Sequence, residues 1–189
     1  MSHVALVCSD FEYQPLLPQV LLLSSKMANA AQVAEVQAES PSNVYVLQRH
    51  SAWSNADVLV EVIVMLTYIF QPLRDHVHVV LTMDSCSCHL TRKIFAAARF
   101  HGMGLSCIAA HLTYLLQPLD TSVFGVEKLL LRRAFTTLSL ASGTTQVPLL
   151  PWLKAVQATV GELFSTRDFS GSFARNGFSQ DLGAMTPKI

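Results

Sequence analysis

At 189 residues the chain is long enough to bury a single-domain core without disulfide staples, and thirteen Lys plus Arg balance thirteen Asp plus Glu. Zero formal charge excludes a bulk electrostatic pull toward nucleic acid, so any DNA affinity has to come from a local patch. Although 51% of residues are hydrophobic and only 14% are charged, the longest apolar run, residues 58–70 (VLVEVIVMLTYIF), contains Glu61 and stops at Gln71-Pro72. It falls short of the roughly 20 residues of a membrane span, so a buried helix and no membrane partner are expected.

The N-terminus, MSHVALVCSDF, has no basic region and only a short apolar stretch, unlike a signal peptide, which predicts an intracellular setting. Cys8, Cys86, Cys88 and Cys107 lie mostly in apolar, strand-like runs, where a reduced thiol behaves as a small hydrophobe, so no disulfide framework is expected. HVALVCS (3–9) and PLLPQVLLLSS (15–25) are apolar runs joined by a polar connection of hairpin length. Pro15 and Pro18 predict that the second strand begins near Gln19 or lies at an edge.

Residues 26–42 are Ala-rich and end at Ser40-Pro41-Ser42, which predicts a short helix or a loosely held insertion. NVYVLQ (43–48) reads as a short strand. Ser54, with Asp57 three residues on, reads as the cap of a helix over about 55–70. HVHVVLTMD (76–84) is a β-branched strand, LTRKIFAAARFH (90–101) a helix ended by Gly102 and Gly104, and LSCIAA (105–110) the next strand. Strand, helix, strand with short connections is a βαβ unit, so these two strands should be parallel neighbours. HLTYLLQPLD (111–120) reads as a loop, after which Asp120 or Thr121 caps a helix carrying Arg132 and Arg133. WLKAVQATVGELF (152–164) predicts one more helix, and the tail an irregular end.

Three groups of residues could hold chemistry. Asp84 ends a strand of the βαβ unit, where open α/β sheets place their ligands; the other reading is a plain strand-end turn. Cys86, Cys88 and His89 are spaced more tightly than a structural zinc site, with only Cys107 and His101 to complete a tetrahedron, and otherwise are buried or half-buried side chains. Asp120 alone reads as a helix cap. Paired with Asp84 it could instead hold a divalent cation, since hard ions favour oxygen ligands.

The two segments around these acids carry a resemblance. VVLTMDSCSCHLTRKI is similar to the apolar strand, Asp, Asn, three residues and His of the DDE superfamily endonucleases of the pogo, Tigger and jerky type, the domain also found in centromere protein B; Asp84 and His89 match and Ser85 replaces the Asn. LTYLLQPLDTSVFGVEKLLLRR resembles the family's T-x-L-L-Q-P-L-D-x-x-V-F-x-x-x-K signature, with Gln117, Pro118, Leu119, Asp120, Val123, Phe124 and Lys128 in place. Thirty-five residues lie between Asp84 and Asp120, a spacing typical of that superfamily. Fainter likenesses are PLLPQVLLLSSK to a hairpin strand, SAWSNADVLVEVI to a Trp-led helix and FARNGFS to an F-x-x-x-G stretch.

The resemblance implies an α/β, RNase H-like fold with a mixed sheet flanked by helices, spanning residues 1–166 and followed by an irregular tail over 167–189. It also implies metal-dependent DNA strand cleavage or transfer by three carboxylates holding two Mg²⁺ or Mn²⁺ ions about 3.5–4 Å apart. Asp84 and Asp120 would be the catalytic and metal-binding second and third acids, supported by His89 and Gln117, with Lys128, Arg132 and Arg133 as DNA contacts. In the family the first acid lies on the strand before the one HVALVCS resembles, the central strand of the sheet. The expectation is therefore a transposase-derived, truncated domain that lacks that strand and is inactive in strand cleavage as it stands. Asp10 and Glu12 map to the hairpin turn rather than to the first acid. Nor does the chain show the helix-turn-helix segment that family members carry. DNA binding should be weak and salt-sensitive, in a nuclear setting. The alternative is a domesticated, non-catalytic module that engages a protein partner at the sheet edges left by the missing strand.

Overall fold

A computed structural model describes residues 1–178, and its architecture is mixed α/β. Among the described residues five strands form two separate sheets. The first has the order β1 (Ser2–Val4), β2 (Gln19–Ser24), β3 (Val44–Arg49), with β1 antiparallel and β3 parallel to β2. In the second, β4 (Val80–Asp84) and β5 (Gly104–Ile108) pair in parallel, as the βαβ reading requires. The single mixed sheet expected from the resemblance is thus divided, and β1 and β4 do not re-pair across the division.

Each local element has a visible cause. Pro15 and Pro18 keep the chain in a short 3₁₀ turn (Gln14–Leu16), and β2 begins at Gln19 once the backbone N–H groups return. The edge placement is wrong, because β2 is the central strand of its sheet and its residues 19–23 are buried. Helix α1 (Ala30–Ala38) occupies the Ala-rich segment and starts at a capping box: Asn29 accepts from the Gln32 N–H while the Gln32 side chain accepts from the Asn29 N–H. Its outer face is tied to α6 (Leu149–Thr166) by Lys154, which reaches Glu35 at 2.9 Å and Glu39 at 2.7 Å.

Helix α2 (Ala56–Phe70) is capped by Asn55, whose side chain accepts from the Asp57 and Val58 N–H groups, not by Ser54. Asn55 is one residue closer to the first turn, and its amide oxygen reaches both orphan donors. The apolar stretch from Ala56 to Leu73 has 18 residues and so approaches the length of a span. Val58, Leu59, Val62, Ile63, Leu66 and Phe70 are nevertheless buried along its core-facing stripe. Each contributes roughly 1.5–3 kcal/mol by leaving water, which suits the core helix expected from the sequence.

Two cores follow from the split. One packs α2, α3 (Arg92–Phe100) and β4 against Leu6, Leu17, Val20 and Leu22. The other packs α6 and Val123 against the opposite face of the first sheet, at Leu21, Leu23, Val44 and Val46. β2 thus alternates its side chains between them, Val20 and Leu22 to one and Leu21 and Leu23 to the other.

After β5 the expected loop contains a short helix α4 (Thr113–Leu116) and a π-helical turn (Leu119–Val123) that runs into α5 (Phe124–Ser142). Gly143 ends α5 in the left-handed conformation, at φ 65°, where a side chain would be strained. The tail is not irregular throughout. Helix α7 (Ser170–Arg175) forms because Phe169 and Phe173 bury against the second core and Asn176 accepts from the Thr121 hydroxyl at 2.9 Å. Residues 179–189, the rest of the expected tail, lie outside the described residues.

Candidate functional site

Between the two sheets a cavity of about 250 Å³ is walled by His3, Val4, Ala5 and Leu6 on one side and by Leu81, Thr82, Met83 and Asp84 on the other. His89, Gln117, Asp120 and Ser54 also reach it. The fold therefore brings together four residues that the sequence singled out, Asp84, His89, Gln117 and Asp120, from two stretches of chain.

Asp84 is placed by the end of β4, where the backbone stops pairing after Ile108. Its Oδ1 accepts from the Cys86 N–H at 3.2 Å, closing the turn, and meets His89 Nδ1 at 2.5 Å. His89 Nδ1 also lies 3.2 Å from the Asp84 carbonyl oxygen. The strand-end turn read from the sequence is present, and the same carboxylate borders the cavity at the carboxyl end of a parallel pair.

Asp120 lies in the first turn of the π-helical segment and is exposed; its side chain makes no cap hydrogen bond, and neither does that of Thr121, so neither is the cap that the sequence suggested. The buried Oε1 of Gln117 and Oγ of Ser54 have no hydrogen-bond partner among the described residues. A buried acceptor without a donor is costly, about 1–3 kcal/mol, and here two such oxygens border the same cavity.

The thiols do not converge with His101. Cys86 and Cys107 are exposed, Cys8 and Cys88 half-buried, and all four are free, so the buried or half-buried setting expected for the thiols fails at Cys86 and Cys107. Cys86 Sγ and Cys88 Sγ lie 3.2 Å apart. Partial burial, the Cys86 sulfur beside it and the Asp84 carboxylate push the Cys88 thiol up to about 11. A thiol so disposed toward its protonated form is a poor ligand and a poor nucleophile near neutral pH. Among the described residues no three or more His, Cys, Asp and Glu side chains converge at metal-ligand spacing.

The basic candidates stand apart from the acids. Lys128 and Arg132, one turn apart on α5, line an open groove of about 530 Å³ with Leu131, Phe135, Thr136 and Trp152. Phe135 and Trp152 meet edge to face, their centroids 5.5 Å apart. Arg133 is exposed but does not line that groove.

Sequence reasoning missed the pair closest to the acid cavity. His3 Nδ1 lies 2.8 Å from the carboxylate of Glu127, both side chains nearly buried, and His3 Nε2 lies 3.2 Å from Gln19 Oε1. No spacing signal links residues 124 positions apart; only the placement of β1 beside α5 does. No protein-family model matches the chain, and neither a curated protein nor a solved structure is significantly similar to it.

Proposed function

We propose that the chain is a transposase-derived DDE-type endonuclease domain of RNase H-like ancestry, in which Asp84 and Asp120 hold a divalent cation and DNA is the macromolecular partner. The observation that supports this most directly is the shared cavity: Asp84, His89, Gln117 and Asp120, the residues the two motifs single out, line one space between the sheets. The donor set fits a hard cation. It offers two carboxylates and the unpartnered Gln117 amide oxygen, all oxygen ligands suited to Mg²⁺ or Mn²⁺ with retained waters.

Within this reading His89 orients Asp84. It engages Oδ1, which the Cys86 N–H also holds. A bound divalent ion would supply Lewis-acid polarisation of a phosphoryl oxygen. Lys128 and Arg132 would meet phosphates along the α5 groove, with Phe135 and Trp152 as apolar walls. Two carboxylates and an amide serve one ion. The two-ion chemistry of the resembling family needs a further acid, so cleavage is not assigned to residues 1–178.

The test is Mn²⁺ binding, followed by titration calorimetry on the chain and on its Asp84→Ala and Asp120→Ala variants. Each variant should weaken binding at least tenfold while circular dichroism stays unchanged. Equal binding by all three proteins removes the site assignment.

A further inference from the structure

The division between the sheets is bordered by two backbone edges with hydrogen-bonding groups to spare. On the N-terminal side, Leu6 and Cys8 turn toward β2 and the turn before it. Leu6 N–H donates to Gln19 Oε1 at 3.1 Å, Leu6 C=O accepts from Gln19 Nε2 at 2.9 Å, and Cys8 N–H donates to Gln14 Oε1 at 2.7 Å. Backbone groups alternate in direction along an extended chain, so Ala5 and Val7 turn theirs the other way, into the division. No described hydrogen bond uses them.

The opposite edge is β4. Gly104 N–H donates to Val79 C=O at 2.9 Å, and among the described residues β4 pairs only with β5. In a parallel ladder Val79, Leu81 and Met83 then face β5, while Val80 and Thr82 present N–H and C=O to the division.

The space between is a slot. Its cavities follow one another along the two edges: about 250 Å³ between residues 3–6 and 81–84, about 100 Å³ between 5–7 and 80–82, and about 580 Å³ between 6–10 and 76–81. The two edges therefore run antiparallel to one another. The α2 side chains Leu59, Val62, Leu66 and Phe70 lie to one face, and Leu119 and Phe173 to the other. Carboxylates stand at both ends, Asp84 with Asp120 at one and Asp10 at the other.

We infer that this slot receives a β-strand donated by another polypeptide: about five consecutive apolar residues flanked by lysine or arginine. Backbone groups on both sides call for an extended chain, which would run parallel to one edge and antiparallel to the other. Apolar walls on both faces call for an unbroken aliphatic run rather than an alternating one. The terminal carboxylates select cationic flanks. Five residues at about 3.3 Å each match the length of the exposed β4 edge. The inference rests on the backbone edges and does not depend on the metal reading.

A fluorescein-labelled peptide, Lys-Val-Ile-Val-Ile-Val-Lys, tests it by anisotropy against the full chain. Saturable binding is expected, with hydrogen-exchange protection of the Ala5, Val7, Val80 and Thr82 amides. The same peptide N-methylated at alternate residues should bind at least tenfold more weakly, and a glutamate-flanked version likewise. Thr82→Pro, which removes one slot-facing N–H without touching the β4–β5 ladder, should weaken binding to a similar degree. Absence of binding, indifference to N-methylation, or self-association of the chain that the peptide does not suppress would each overturn the proposal.

Discussion

Replacing Gln19 by leucine tests how the segment after β1 is held. Gln19 is fully buried, and its amide meets four groups: Leu6 N–H at 3.1 Å, Leu6 C=O at 2.9 Å, Leu17 C=O at 3.3 Å and His3 Nε2 at 3.2 Å. In Gln19→Leu the Leu6 carbonyl keeps a long contact to Gln14 Nε2 at 3.4 Å. The buried Leu6 N–H and Leu17 C=O are left without partners, and the less buried His3 Nε2 loses its contact as well. At about 1–3 kcal/mol for each stranded buried group, the loss should be about 2–6 kcal/mol, a large share of the roughly 5–15 kcal/mol that holds an ordinary domain. Urea unfolding followed by circular dichroism measures it as a lower midpoint at unchanged slope. The exposed Gln146→Leu serves as control and should stay within about 0.5 kcal/mol of the parent. A loss below about 1 kcal/mol for Gln19→Leu would mean that water already reaches these groups, and the description of residues 5–8 as an amide-clamped edge would be wrong.

Two further outcomes follow from local geometry. A Cβ at the buried Gly161 would come within 2.7 Å of Pro41 Cβ and closer still to Pro41 Cγ, so Gly161→Ala should cost about 1–3 kcal/mol in thermal unfolding by forcing α6 away from the turn before β3. At pH 8 iodoacetamide should modify the exposed Cys107 well before Cys88, whose thiol is held up to about 11, as peptide mass mapping would show. Between about pH 9 and 11 the unfolded chain gives up the Cys88 proton while the folded chain keeps it. The unfolded state then binds fewer protons, and this thiol's contribution makes folding less favourable as pH rises through that window.

The sequence was most legible where a strong local pattern coincides with burial. The strand ending at Asp84, of which Val80–Asp84 forms out of the expected 76–84, the parallel pairing of β4 with β5 and the long α2 follow from periodicity and flanking breakers. Caps were less legible. Ser54 and Asn55 are both good caps by type, and only the chain direction at the helix entrance lets Asn55 reach two N–H groups. At Asp120 the expected cap gives way to a π-helical turn that lets Val123 bury in the second core. The tail misled because Gly and Ser are interspersed among its apolar residues, yet two phenylalanines four apart are enough to dock a helix on the second core. Of the candidate site, the four cavity residues were named from motifs, whereas His3 and Glu127 are joined only by tertiary placement.

Gln14 and Gln19 explain why the division between the sheets persists. Two fully buried glutamines give Leu6 and Cys8 the hydrogen bonds that a neighbouring strand would give. Segment 5–8 is thereby fixed on the first sheet and does not move across to pair with β4. The groups of Ala5, Val7, Val80 and Thr82 are left facing one another across a slot that narrows to about 100 Å³ at its middle. The acid pair sits at one end of that same slot, so its two proposed occupants interact through one field. A lysine-flanked strand would place a cation against Asp84 and Asp120, and a divalent ion bound there would repel it. On these two proposals a lysine-flanked strand and a divalent ion would compete for Asp84 and Asp120, which would form a salt-bridging clamp with the one and supply ligands to the other.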